Sequence, residues 1–249
     1  MLDEDADLWY LRSSKTAQRS FGWGGTGRGQ GYGIQYDPSG NYTRTAKKGA
    51  FARWDLKDPA RLRLGAVLPD GAVRGNSHLK QCICEGTRFH YDLEFYREHY
   101  GPRMRTDALY LGYYLHLVQD TFFRNFIYGE CHFDSSVPGN VEKLHHDYAV
   151  TNFAVAERYG VDKTMVVPLD LTGESINELA EFDVPELVRE VQTQFAPTPE
   201  KETSVFTQTM AQELVERSVS LCRKELQDLR AGLPGLNSAE WSWNNCGKA

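Results

Sequence analysis

The run Tyr110-Leu-Gly-Tyr-Tyr-Leu-His-Leu-Val-Gln-Asp120 sets an imidazole and a carboxylate four positions apart in a strongly helical context. With about 3.6 residues per helical turn, His116 and Asp120 project from one face and can grip the same metal ion. Leu111, Leu115, Val118 and Phe122 form an adjacent stripe that buries the helix, and Gly112, one turn before His116, leaves room for a neighbour. Taken alone, such a pair is more often a hydrogen-bonded couple than a metal site. A second cluster changes the balance: Asp70 closes Leu64-Gly-Ala-Val-Leu-Pro-Asp70, and His78 follows in Asn76-Ser-His78. Asp70, His78, His116 and Asp120 together make a two-nitrogen, two-oxygen set that suits zinc, with iron or manganese as alternatives.

The chemistry such a set supports is hydrolysis. A bound divalent ion lowers the pKa of its water and polarises the bond that water attacks. Asp70, beyond ligation, is the candidate catalytic residue, placed to orient that water and take its proton.

Leu111-Gly-Tyr-Tyr-Leu-His-Leu-Val-Gln-Asp120, Ser77-His78 and Leu144-His-His-Asp-Tyr148 resemble the metal-binding segments of the zinc-dependent phospholipase C family, whose fold is shared by single-strand-specific zinc nucleases. The similarity covers roughly residues 60 to 160 and lies in order and spacing. It implies a mainly α, multi-helix bundle in which one zinc is held at Asp70, His78, His116 and Asp120. It also implies phosphoester hydrolysis, on a small molecule, a lipid head group or a nucleotide. The family's second metal site is incomplete: Phe126 stands six residues after Asp120, and Ala149 stands four after His145, where the family has metal ligands. His145 matches the family, and His132, Glu142, His146 or Asp147 can stand in for the missing ligands. A third site needs a histidine near the N-terminus, and none precedes His78.

Two rival readings keep different residues in play. An HD-type phosphohydrolase makes His146-Asp147 its adjacent metal-binding pair, with His116 upstream and Asp170 as a distal carboxylate. A non-catalytic protein uses one metal to staple helices together.

The elements that must position these residues are mostly helical. The pattern predicts helices over 87–99, 106–127 with Thr106 or Asp107 as cap, 141–159, 173–181, 184–195 and a long one to about 231. Pro102 breaks the first, Pro138-Gly139-Asn140 marks a turn, and Gly160 ends a helix. His90 and His99 read as solvated, and His132 as either ligand or surface.

Residues 1–55 form a glycine- and aromatic-rich extension, 56–232 the helical metal-binding domain and 233–249 a tail. Between Gly22 and Gly33, seven of twelve residues are glycine, which predicts loop. Gly22-Trp-Gly-Gly-Thr-Gly27 satisfies G-x-G-x-x-G, but no strand-like run precedes it and no helix follows, so a dinucleotide fold is discounted. No Gly-Lys-Ser/Thr completes a phosphate loop. The segment reads first as an extended wrap anchored by its aromatics; its functional alternative, since it lacks His, Cys and carboxylate, is substrate access through Trp23, Arg28 and Tyr32 instead of ligation.

At 249 residues, 41% apolar and 25% charged, the chain is long enough for a substantial core. Its net charge of −6 argues against a broad nucleic-acid footprint. No run approaches a membrane span, and the acidic start lacks a secretory signal. Five cysteines with irregular spacing, Cys82-Ile-Cys84 included, read as reduced thiols of a cytoplasmic protein.

Overall fold

The computed structural model describes residues 58–161, 163–194, 197 and 202–244. Trp23, Arg28 and Tyr32, and with them the expected access segment, lie outside the described residues. Among those residues the protein is mainly α, with six α-helices and two small antiparallel sheets. No helix among them is long and apolar enough to cross a membrane.

Helix α1 (Pro59–Val67) starts with proline inside its first turn and with Asp58 accepting the Arg61 N–H at 3.0 Å. It runs into a 3₁₀ turn, Leu68–Gly71, that presents Asp70. Strand β1 (Ala72–Gly75) follows, then the loop bearing His78, then strands β2 (Lys80–Ile83) and β3 (Arg88–Tyr91). Helix α2 (Leu93–Met104) is capped by Asp92, whose carboxylate accepts the Phe95 N–H at 2.9 Å. Helix α3 (Ala108–Arg124) is capped by Asp107, which also holds Arg61 at 2.6 Å. A π-helical turn, Asn125–Glu130, continues it. Helix α4 (Asn140–Arg158), strand β4 (Ala180–Phe182), helix α5 (Val184–Gln194), helix α6 (Gln208–Arg230) and strand β5 (Trp243–Asn244) complete the order.

Every residue of α3 is buried, so the other elements wrap it. Its crossing with α1 depends on two glycines. A Cβ on Gly65 would sit 2.8 Å from the Leu109 carbonyl carbon, and one on Gly112 would sit 2.8 Å from Ala66 N, closer still to Leu62 O. Neither distance is sterically allowed, so glycine is what lets the two backbones meet. Around the crossing Tyr96 stacks with Tyr113 and Tyr114 at centroid distances of 5.3 and 5.7 Å. The buried hydroxyls have partners: Tyr96 donates to Tyr110 O, Tyr113 to Ser77 O and Tyr114 to Glu225. A second apolar cluster joins the C-terminal end of α3 to α4 and α6 through Phe123, Phe126, Leu144, Val155, Leu214 and Val215.

Several expected boundaries move. Residues 88–91 form a strand, because they pair with Lys80–Ile83 on one side and with Trp243 and Asn244 on the other. Tertiary pairing outweighs the local helical pattern there. Pro102 lies inside the final turn of α2, which runs on to Met104. The 173–181 stretch divides into a 3₁₀ turn, Ser175–Glu178, and β4, which pairs with β1. Asp107 is the cap of α3, and α4 begins after Gly139, whose φ is 84°. Part of the expected tail is packed: Ser238 is fully buried and Trp243 nearly so.

Candidate metal centre

Three elements bring four donors together. The 3₁₀ turn after α1 supplies Asp70, the β1–β2 loop supplies His78, and α3 supplies His116 and Asp120. The Nε2 atoms of His78 and His116 are 3.2 Å apart. His78 Nε2 lies 3.4 Å from Asp70 Oδ1 and 3.5 Å from Asp120 Oδ2. The corresponding distances from His116 Nε2 are 3.9 and 3.8 Å. Bonds of about 2.0–2.2 Å in a tetrahedron set neighbouring ligand atoms about 3.3–3.6 Å apart, so this spacing fits one ion of zinc size. Among the described residues, Asp70, His78 and His116 are the group of three or more His, Cys, Asp or Glu whose ligand atoms converge, with Asp120 beside them.

The outer contacts fix the rings. His116 Nδ1 donates to Ala66 O at 2.8 Å, because a carbonyl only accepts, and this leaves the Nε2 lone pair facing the other donors. His78 Nδ1 is 3.1 Å from Ser77 Oγ. The loop is held by Asn76, whose carboxamide bonds Lys80 N and O, and by Tyr113, which bonds Ser77 O at 2.5 Å. Leu79, next to His78, has φ of 52° and a buried side chain. Asp70, His116 and Asp120 are nearly sealed, at 3%, 3% and 1% exposure, whereas the His78 side chain is 18% exposed. Approach from solvent is therefore from the His78 side.

Sequence reasoning did not single out the wall beside His78. The Tyr91 ring lies 5.6 Å from the His78 ring and 4.8 Å from that of Trp243. Buried Arg124, one turn beyond Asp120, donates from Nε to Tyr91 Oη at 3.2 Å. Burial pushes the Tyr91 hydroxyl up to about 12 against the pull of Arg124, so it keeps its proton. Burial disfavours charge on Arg124, but Tyr91, Tyr128 and Asp120 outweigh it and raise its pKa. The i+4 spacing from Asp120 was the available signal for Arg124.

The other candidate ligands are placed differently. Asp147 is fully buried and accepts N–H bonds from Ser204 at 3.0 Å, Val205 at 2.6 Å and Phe206 at 2.7 Å. His146 Nδ1 is 3.2 Å from the same carboxylate. Asp147 thus fastens the start of the α6 segment to α4, and its carboxylate is committed to that bond set. His145 packs its ring against Tyr148, 6.4 Å away, and His146 is exposed. Neither they nor Asp147 joins the converging group. His132 and Glu142 are exposed, and Phe126 is buried in the second apolar cluster. His99 is exposed as expected, but His90 is buried, with Nδ1 3.0 Å from Ser238 Oγ, which donates onward to Glu94 at 2.8 Å. The strand assignment of 88–91 accounts for that difference.

Comparison with protein-family models, curated proteins and solved structures gives no match for this chain.

Proposed function

We propose that this protein is a metal-dependent hydrolase of a phosphoester, built on a helical bundle of the phospholipase C and zinc nuclease type. The observation that carries this reading is the convergence of Asp70, His78, His116 and Asp120, with Nε2 and carboxylate atoms 3.2–3.9 Å apart. A divalent ion held there supplies Lewis acidity and a water acidic enough to act as nucleophile near neutral pH. The chain's own residues prepare that chemistry. Ala66 O fixes the tautomer of His116, the loop around Asn76 and Ser77 holds His78 at the open side, and Asp70 is the carboxylate assigned to orient a water.

A second reading, one structural ion, draws on the near-complete burial of three of the four donors. The HD-type arrangement lacks such support, since the Asp147 carboxylate is committed to the Ser204–Phe206 amides.

The test combines metal analysis with turnover of an activated phosphodiester such as bis(p-nitrophenyl) phosphate. The purified chain is expected to hold one zinc-class ion, and His116→Ala and Asp120→Ala to lose it. Asp70→Asn is expected to lose turnover by about a hundredfold or more. Full metal retention in His116→Ala removes the centre. Loss of thermal stability on chelation, with no turnover in the loaded protein, establishes the structural reading instead.

A further inference from the structure

Beside the four donors, the β2–β3 ribbon presents a face that the metal reading does not use. Lys80 and Tyr91 are direct partners across the ribbon, so their side chains share one face, and Phe89 lies on the same face two residues before Tyr91. Lys80 Nζ sits 4.0 Å above the centre of the Phe89 ring. Trp243, paired with Phe89 through β5, closes the edge, and the Arg124 guanidinium lies 6.0 Å from the Trp243 ring. Two cations and three aromatic rings therefore gather around Tyr91, whose ring lies 5.6 Å from that of His78. Lys80 and Phe89 are themselves partly exposed.

The charges decide what this wall suits. Two carboxylates cancel a divalent ion and imidazoles ligate as neutral groups, so the filled set is neutral. Tyr91 keeps its proton. Lys80 and Arg124 then place two cations around the Tyr91 and Trp243 rings beside it.

We propose that Lys80 and Arg124 form an anion-binding wall beside the Asp70–His78–His116–Asp120 set and hold a phosphate-type oxyanion of the bound ligand. This rests on the metal reading above and assigns the groups that select the ligand's charge. Lys80, on the partly open ribbon, contacts the oxyanion directly. Arg124, fixed by Tyr91, acts mainly through its field and through the position it gives that ring.

The experiment uses the full chain loaded with cobalt(II), whose visible absorption reports on its surroundings, titrated with inorganic phosphate. Wild-type protein is expected to show a saturable spectral change. Lys80→Met is expected to weaken phosphate about tenfold while cobalt affinity stays within about threefold, and Lys80→Arg to restore most of the loss. Arg124→Met removes a cation near a cation site, so it should bind cobalt about tenfold more tightly and phosphate more weakly. A merely structural role for Arg124 would loosen the metal instead. Stoichiometric cobalt with no response to phosphate, or equal responses in wild type and Lys80→Met, overturns the wall alone. Failure to bind cobalt overturns the metal centre and the wall with it.

Discussion

Gly112→Ala tests whether the α1–α3 crossing is what assembles the centre. The added Cβ would lie 2.8 Å from Ala66 N and nearer still to Leu62 O, both rigid backbone atoms of α1. Restoring an ordinary contact of about 3.4 Å or more requires α1 to retreat by about 1 Å. The His116 Nδ1 to Ala66 O bond, now 2.8 Å, would then exceed the length of a hydrogen bond. Overpacking of this kind costs about 3 kcal/mol and the broken bond about 1 kcal/mol, while the better helix propensity of alanine returns about 1 kcal/mol. The net loss of about 3 kcal/mol corresponds to a fall of about 6–12 °C in melting temperature. Metal affinity should fall with it, because the retreat carries Asp70 away from His116. Gly129→Ala is the control: its Cβ meets nothing nearer than 3.8 Å, and the change should be neutral or slightly stabilising. Thermal denaturation, with metal content measured on the same samples, reads both effects. A Gly112→Ala protein that melts within about 2 °C of wild type and retains its metal would refute the proposed role of the close crossing.

The Asp147 clamp makes stability fall in acid. Burial opposes its charge, but the Val205, Phe206 and Ser204 amides and His146 prevail and depress its folded pKa below the ordinary value. A depressed carboxylate contributes stability that is fully present above its unfolded pKa near 4 and fades as the pH falls through the folded value. Asp147→Ala should cost about 3 kcal/mol or more at pH 7 and flatten that acid limb in denaturant titrations; an unchanged limb would refute this account. Among the cysteines, exposed Cys82 and Cys84 should label rapidly with a maleimide at pH 7.5, while Cys222, buried with its thiol pushed up to about 12, should label only on unfolding. Peptide mapping checks this, and fast native labelling of Cys222 would contradict its placement.

His116 and Asp120 were legible in the sequence because their relation is local: the period of one helix puts them on one face. Asp70 and His78 were reachable only by joining a second cluster to the first, since a 3₁₀ turn and a loop have no period that aims a side chain. Lys80 carried no signal, because its place beside Tyr91 depends on the antiparallel register of the β2–β3 hairpin, which a helical reading of 87–99 hides. Pairing with Lys80–Ile83 on one edge and with Trp243 and Asn244 on the other turned 88–91 from a helical pattern into a strand and carried His90 inside. The doublet at His146 and Asp147 looked like metal chemistry in sequence. In space its carboxylate meets the backbone of residues 204–206, a contact that composition and spacing cannot encode.

Leu79 carries a consequence for how this site can drift in sequence. Its backbone, at φ of 52°, favours glycine, while its side chain, 6% exposed within the core cluster, favours a large apolar residue. A change to glycine relieves the backbone but opens a cavity costing about 2–4 kcal/mol, and a β-branched replacement fills the space at greater backbone strain. Its carbonyl also accepts the Asp92 N–H that starts α2, at 2.9 Å. The position beside His78 thus stands on a narrow ledge of tolerated residues, and an insertion anywhere in 76–79 would shift both the ligand and the helix behind it. Variation compatible with the site should therefore accumulate at exposed Val73 and Gln81, and spare Leu79.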